Sequence, residues 1–121
     1  MAATGSTQAF SNNLTLLGTD LPPGSLTLAI TSRTQGLTVM PGTSVGNLCL
    51  GGTIGRFVPQ ATQSDAAGTV NIPIDLTALP QPMGTVAAVP GETWNFQLWF
   101  RDSVAGQAVS NFTQGLEISA Q

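Results

Sequence analysis

The chain has 121 residues, six carboxylates, three arginines and a net charge of −3; charged residues are 7% of the total, against about a quarter in an ordinary soluble domain. It contains no His, no Lys and no Tyr, and one Cys, so most of the side chains that move protons, attack carbonyls or bind soft metals are missing. The lack of a basic footprint argues against nucleic acid and anionic membrane surfaces as partners, and no apolar run is long enough to span a bilayer.

In chain order, residues 1–12 are small and polar and read as an arm. Met1 to Ser6 holds neither a basic region nor an apolar stretch, so no signal peptide is visible. Residues 13–121 read as one domain. Leu14-Thr15-Leu16 begins a period-two alternation, and Gly18 to Gly24, with Pro22-Pro23 inside, reads as a turn. Leu26, Leu28 and Ile30 alternate with Thr27, Ala29 and Thr31, the pattern of a half-buried strand, with the aliphatic row expected inward. Gln35-Gly36 reads as a turn into Leu37-Thr38-Val39, and Pro41-Gly42 as another. Leu48-Cys49-Leu50 is a short apolar strand ended by Gly51-Gly52, and Ile54 to Val58 continues the sheet.

Gln60 to Gly68 reads as a polar loop. Val70, Ile72 and Ile74 form a further inward row. Pro73 lacks a backbone donor, which predicts an edge position for this strand. Leu79 to Gly91 reads as a long connection. Thr93 to Arg101 is the longest strand, with Trp94, Phe96, Leu98 and Phe100 on one face, and Leu116 and Ile118 mark a last short strand. No stretch has helical spacing. Sixteen Thr, 14 Gly and 8 Pro suit short strands joined by turns. The fold expected is all-β: a single antiparallel β-sandwich, immunoglobulin-like or jelly-roll-like, of about 7–9 strands. Its core is expected to hold Leu26, Leu28, Ile30, Ile72, Ile74, Trp94, Phe96, Leu98, Phe100, Leu116 and Ile118.

Candidate chemistry is sparse. The Ser and Thr residues have no His or Lys to activate them. Cys49, between Leu48 and Leu50, reads as a partly buried, inert thiol. Nothing in the spacing of the carboxylates brings two together for glycoside hydrolysis; Asp20, Asp65 and Asp102 read as turn residues. Gln63-Ser64-Asp65 has too few oxygens for calcium. No catalytic residue, metal site or cofactor is expected. The best candidate for binding is the second face of the aromatic strand: Asn95, Gln97, Trp99 and Arg101. An indole flanked by amides suits a sugar, whose C–H groups stack on the ring while its hydroxyls bond the amides. The competing arrangement covers Trp99 with a loop such as 80–90 and pairs Arg101 with a carboxylate such as Glu117.

The run Trp94-Asn95-Phe96-Gln97-Leu98-Trp99-Phe100-Arg101-Asp102 also resembles a known pattern. It is similar to a β-sandwich module of large secreted proteins from planctomycete-type and related bacteria, whose members show W-N-F-Q-x-W-Y-R-D and then F-N-x-S-N-A-L-E-V. Here the second segment reads Asn111-Phe112-Thr113-Gln114-Gly115-Leu116-Glu117-Ile118. Gly46 to Phe57 is similar to the module's G-D-G-x-x-C-x-G-G-x-x-x-R-L, and Leu14 to Gly24 to its opening strand and turn. The similarity spans residues 13–119. The module often carries a second Cys after R-D; Ser103 to Ser110 holds none, so the resemblance implies a free thiol at Cys49. Phe100 replaces the usual Tyr. The resemblance implies a fold and a secreted or cell-surface setting, and no reaction. Together with the low charge, which weakens repulsion between copies, it leads to the expectation of a non-catalytic structural or interaction module. Its candidate partners are its own copies, as an oligomer or filament, or a cell-surface protein or glycan. Carbohydrate binding on the aromatic strand is the alternative.

Overall fold

The computed structural model describes residues 1–5, 13–42, 44–104 and 106–120. These residues form strands β1 (Ala2–Thr4), β2 (Leu14–Gly18), β3 (Leu26–Ser32), β4 (Thr34–Thr38), β5 (Leu48–Gly51), β6 (Gly55–Arg56) and β7 (Thr62–Gln63). They continue with β8 (Val70–Ile74), β9 (Leu79–Gln81), β10 (Gly84–Val86), β11 (Thr93–Val104), β12 (Gln107–Phe112) and β13 (Leu116–Ser119). One short 3-10 helix, Val58–Gln60, interrupts them. All strand pairings are antiparallel. The fold is therefore all-β, as the alternation requires.

Two sheets share one core. The first has the order β1-β2-β8. Its inward row pairs Leu14 with Ile74, Leu16 with Ile72 and Gly18 with Val70. The second has the order β12-β11-β3-β6, with β13 extending the β12 side of β11 and β7 extending the β6 side of β3. From it Trp94, Phe96, Leu98 and Phe100 enter the core. The two layers close tightly at Gly18, where a Cβ would lie 2.6 Å from Leu98 Cδ1 and 2.9 Å from Val70 Cγ1. Phe57 packs its ring 6.4 Å from that of Phe96. The β8 strand has β2 on one side and ends the sheet on the other, so Pro73 sits at an edge, where a missing N–H breaks no further ladder. At the opposite edge Ala2–Thr4 pairs with Thr15 to Leu17. The rest of the expected arm, residues 6–12, lies outside the described residues.

The structure places Asp102, read as a turn residue, within β11 opposite Val109, and corrects the sequence reading in four further places. First, β3 faces the other way. Its register with β11 pairs Thr27 with Phe100, Ala29 with Leu98 and Thr31 with Phe96, so the small row points into the sandwich. Leu28 and Ile30 lie on the outer face, where Ile30 is nonetheless buried, and Leu26 is 41% exposed. The large β11 side chains already fill the space between the sheets, leaving room only for Thr and Ala beside them. The buried hydroxyls are satisfied locally: Thr31 donates to Asn95 O and Thr27 to Ser25 O. Leu116 is only partly buried, packed against the core rather than within it. Second, Gln35 and Gly36 lie inside β4 rather than in a turn. Third, the connection after Leu79 contains a hairpin, β9–β10, turning at Pro82-Met83. Fourth, Gln107–Phe112 is a full strand against Trp99 to Val104, turned by Gly106 at a φ of 79°. That left-handed conformation favours glycine.

Candidate functional site

Alternation along β11 sends Asn95, Gln97, Trp99 and Arg101 to the outer face of the larger sheet. Register sets their neighbours. Gln97 lies beside Ile30 and Trp99 beside Leu28 on β3, while Trp99 lies beside Phe112 and Arg101 beside Ser110 on β12. Arg56, opposite Ile30 on β6, completes the row.

This face is covered by the β4–β5 hairpin and its connection, not by residues 80–90. Val45 N–H donates to Ser110 O at 2.9 Å, attaching the connection along β12. The chain then crosses β11 and reaches β3, where Ser32 Oγ donates to Gly51 O. Gln97 fixes the middle of this strap. Its Oε1 accepts from Cys49 N–H at 2.9 Å, and its Nε2 donates to Asn47 O at 2.9 Å and Thr113 O at 2.7 Å. Gln97 is 0% exposed and its amide is fully engaged. A long polar side chain on a buried face is tolerated because every polar atom finds a partner. Asn95, 4% exposed, donates to Ser32 O and accepts from Gln35 Nε2.

The four residues singled out in the sequence therefore share a face but divide in role. Asn95 and Gln97 are buried and bonded to the protein. Trp99 is half-buried, with the Arg101 guanidinium carbon 5.0 Å from its ring centroid. Arg101 does not pair with Glu117. Glu117 sits opposite Asn95, six residues from Arg101 along β11, or about 20 Å at strand rise, and it accepts from Gln35 instead.

Between the strap and the sheet lies an open groove of about 510 Å³. Leu28, Ile30, Trp99 and Phe112 line it from the sheet, Pro41 and Leu48 from the hairpin and strap, and Ile54 and Arg56 from the far side. Sequence reading missed most of this wall because it assigned Leu28 and Ile30 to the core. Beyond the groove, Leu37, Val39, Met40 and Val45 expose apolar surface on the hairpin and its connection.

Asp65 Oδ1 accepts from the N–H groups of Ala67 and Thr69, orienting its turn. Cys49 is a half-buried free thiol. Among the described residues no group of three His, Cys, Asp or Glu could hold a metal, and no helix is long and apolar enough to cross a membrane.

The Glu92 carboxyl is held below its ordinary value. The Val89 N–H that it accepts, and Arg33 beside it, hold the carboxyl below the ordinary carboxylate range despite partial burial. A depressed carboxyl stabilises the fold above its unfolded pKa and loses that effect as pH falls through the folded value. Melting of wild type and Glu92→Gln as a function of pH tests this. The wild-type advantage should be full above pH 4.5 and shrink below it; an advantage independent of pH would refute the linkage.

Compared with protein-family models, with curated proteins and with solved structures, the chain matches none.

Proposed function

We propose that this chain is a non-catalytic extracellular interaction module that engages its partner through the groove over Trp99. The groove carries the reading: it is walled by apolar and aromatic side chains, it falls in the size range of roughly 300–1,000 Å³ typical of ligand pockets, and Gln97 pre-organises its covering strap. The chain offers no His, Lys or Tyr for chemistry. The exposed apolar hairpin beside the groove suits a protein partner or a second copy. The extracellular setting rests on the resemblance of the aromatic strand to secreted bacterial modules.

Binding of the neutral dye N-phenyl-1-naphthylamine tests the groove. Wild type should bind it with increased fluorescence, and Trp99→Ala, folded by circular dichroism, should lose most of that signal. No binding by wild type, or unchanged binding by Trp99→Ala, would contradict the assignment.

Carbohydrate binding on β11 is the second reading, favoured by the half-buried Trp99 ring. It would have to proceed without the Asn95 and Gln97 amides. Glycan-array binding that Trp99→Ala abolishes would support it.

A further inference from the structure

We propose that the groove takes a small apolar carboxylic acid, with Arg56 as the anchor for its carboxylate and Arg101 as a second positive charge over Trp99. The inference rests on the groove being the binding surface and adds the charge of what it binds.

The chain has only three arginines and a net charge of −3, yet two of the three stand on this one face. Arg33 is paired with Glu92. Among the described residues neither Arg56 nor Arg101 makes an ion pair, and no carboxylate lines the groove. The carboxylates are placed elsewhere. Asp65 and Asp75 accept from their own turns, Asp102 from Ser103 N–H and Asn111, and Glu117 from Gln35. Asp20 lies in the connection between β2 and β3 at a φ of 60°. An acidic molecule thus has a locally positive, apolar groove.

Register gives the geometry. Arg56 is level with Ile30, and Arg101 is two residues beyond Trp99, which is level with Leu28. With ~3.4 Å per residue and ~4.8 Å between strands, the two arginines are about 14 Å apart along the sheet and about 10 Å across it. Arg56 lines the groove and Arg101 lies beside it with its guanidinium over Trp99, so Leu28 and Trp99 fall between the two strand positions. A ligand lying along the diagonal between those positions rests its apolar body on Trp99 and Leu28 and presents its carboxylate to one end. Arg56 is the anchor because it lines the groove itself. A guanidinium forms paired hydrogen bonds with a carboxylate, and the apolar walls strengthen that attraction relative to open water. Arg101 is held over the indole by cation–π attraction.

The test displaces N-phenyl-1-naphthylamine from the wild-type protein with octanoate, octanol, 2-naphthoate and 2-naphthol. Each acid should displace the dye at least tenfold more effectively than its alcohol. The tighter acid distinguishes an aliphatic from an aromatic source. Arg56→Gln should lose the preference for acids over their alcohols, and Arg101→Gln should reduce it. Equal displacement by acids and alcohols, or an acid preference untouched by Arg56→Gln, would overturn the anionic assignment while leaving the groove in place. Failure of the dye itself to bind would overturn the groove and this proposal together.

Discussion

Trp94→Ala is expected to destabilise the protein by about 3–5 kcal/mol, the range for removing a large aromatic side chain from a core. Trp94 is 1% exposed and belongs to the cluster shared by both sheets. It stands near the start of β11, opposite Ile118 on β13, and Arg33 lies 4.6 Å from its ring centroid. Alanine would leave a cavity bordered by strands that cannot collapse without breaking their ladders. Urea unfolding followed by far-ultraviolet circular dichroism measures the loss. A change below 1 kcal/mol would remove Trp94 from the core and with it the inward assignment of its row.

Gln97→Leu is expected to cost about 2–4 kcal/mol, although it adds apolar volume to a buried position. The substitution keeps the size of the side chain and removes all three of its bonds. A buried polar group left unpaired costs about 1–3 kcal/mol; Cys49 N–H, Asn47 O and Thr113 O each lose a partner, and water reaches the carbonyls in part. The loss should be concentrated in the strap. Binding of N-phenyl-1-naphthylamine should fall with it, because the strap forms one wall of the groove. A Gln97→Leu protein as stable as wild type would mean that the amide does not hold the strap.

These two residues show what the sequence made legible. They are three apart on one strand, and period-two alternation alone places them on opposite faces. The same logic located β2, β8 and β13, and the missing donor of Pro73 placed β8 at an edge. Alternation does not say which face of a strand meets the core. On β3 the aliphatic row suggested the inner side, yet the bulk of Trp94, Phe96, Leu98 and Phe100 left only Thr27, Ala29 and Thr31 room there. The β9–β10 hairpin was hidden because Pro80 and Pro82 weaken the strand signal. The strand β12 was hidden because Gln107, Ala108 and Ser110 carry little apolar contrast.

The site was legible in the same partial way. Asn95, Gln97, Trp99 and Arg101 do share a face, which follows from their spacing. Their division into buried amides and groove-facing groups depends on contacts such as Gln97 with Cys49, 48 residues apart. No local pattern encodes that distance. The aromatic run thus serves two purposes at once: even-numbered residues fill the sandwich, and odd-numbered ones hold the strap and line the groove.

Amide hydrogen exchange at Cys49 examines this arrangement most directly, since its N–H is held by a side chain from the strand beneath. It should exchange as slowly as central β11 amides in wild type and become fast in Gln97→Leu. A Cys49 amide that exchanges at the rate of an open loop in wild type would contradict the strap, and with it the groove.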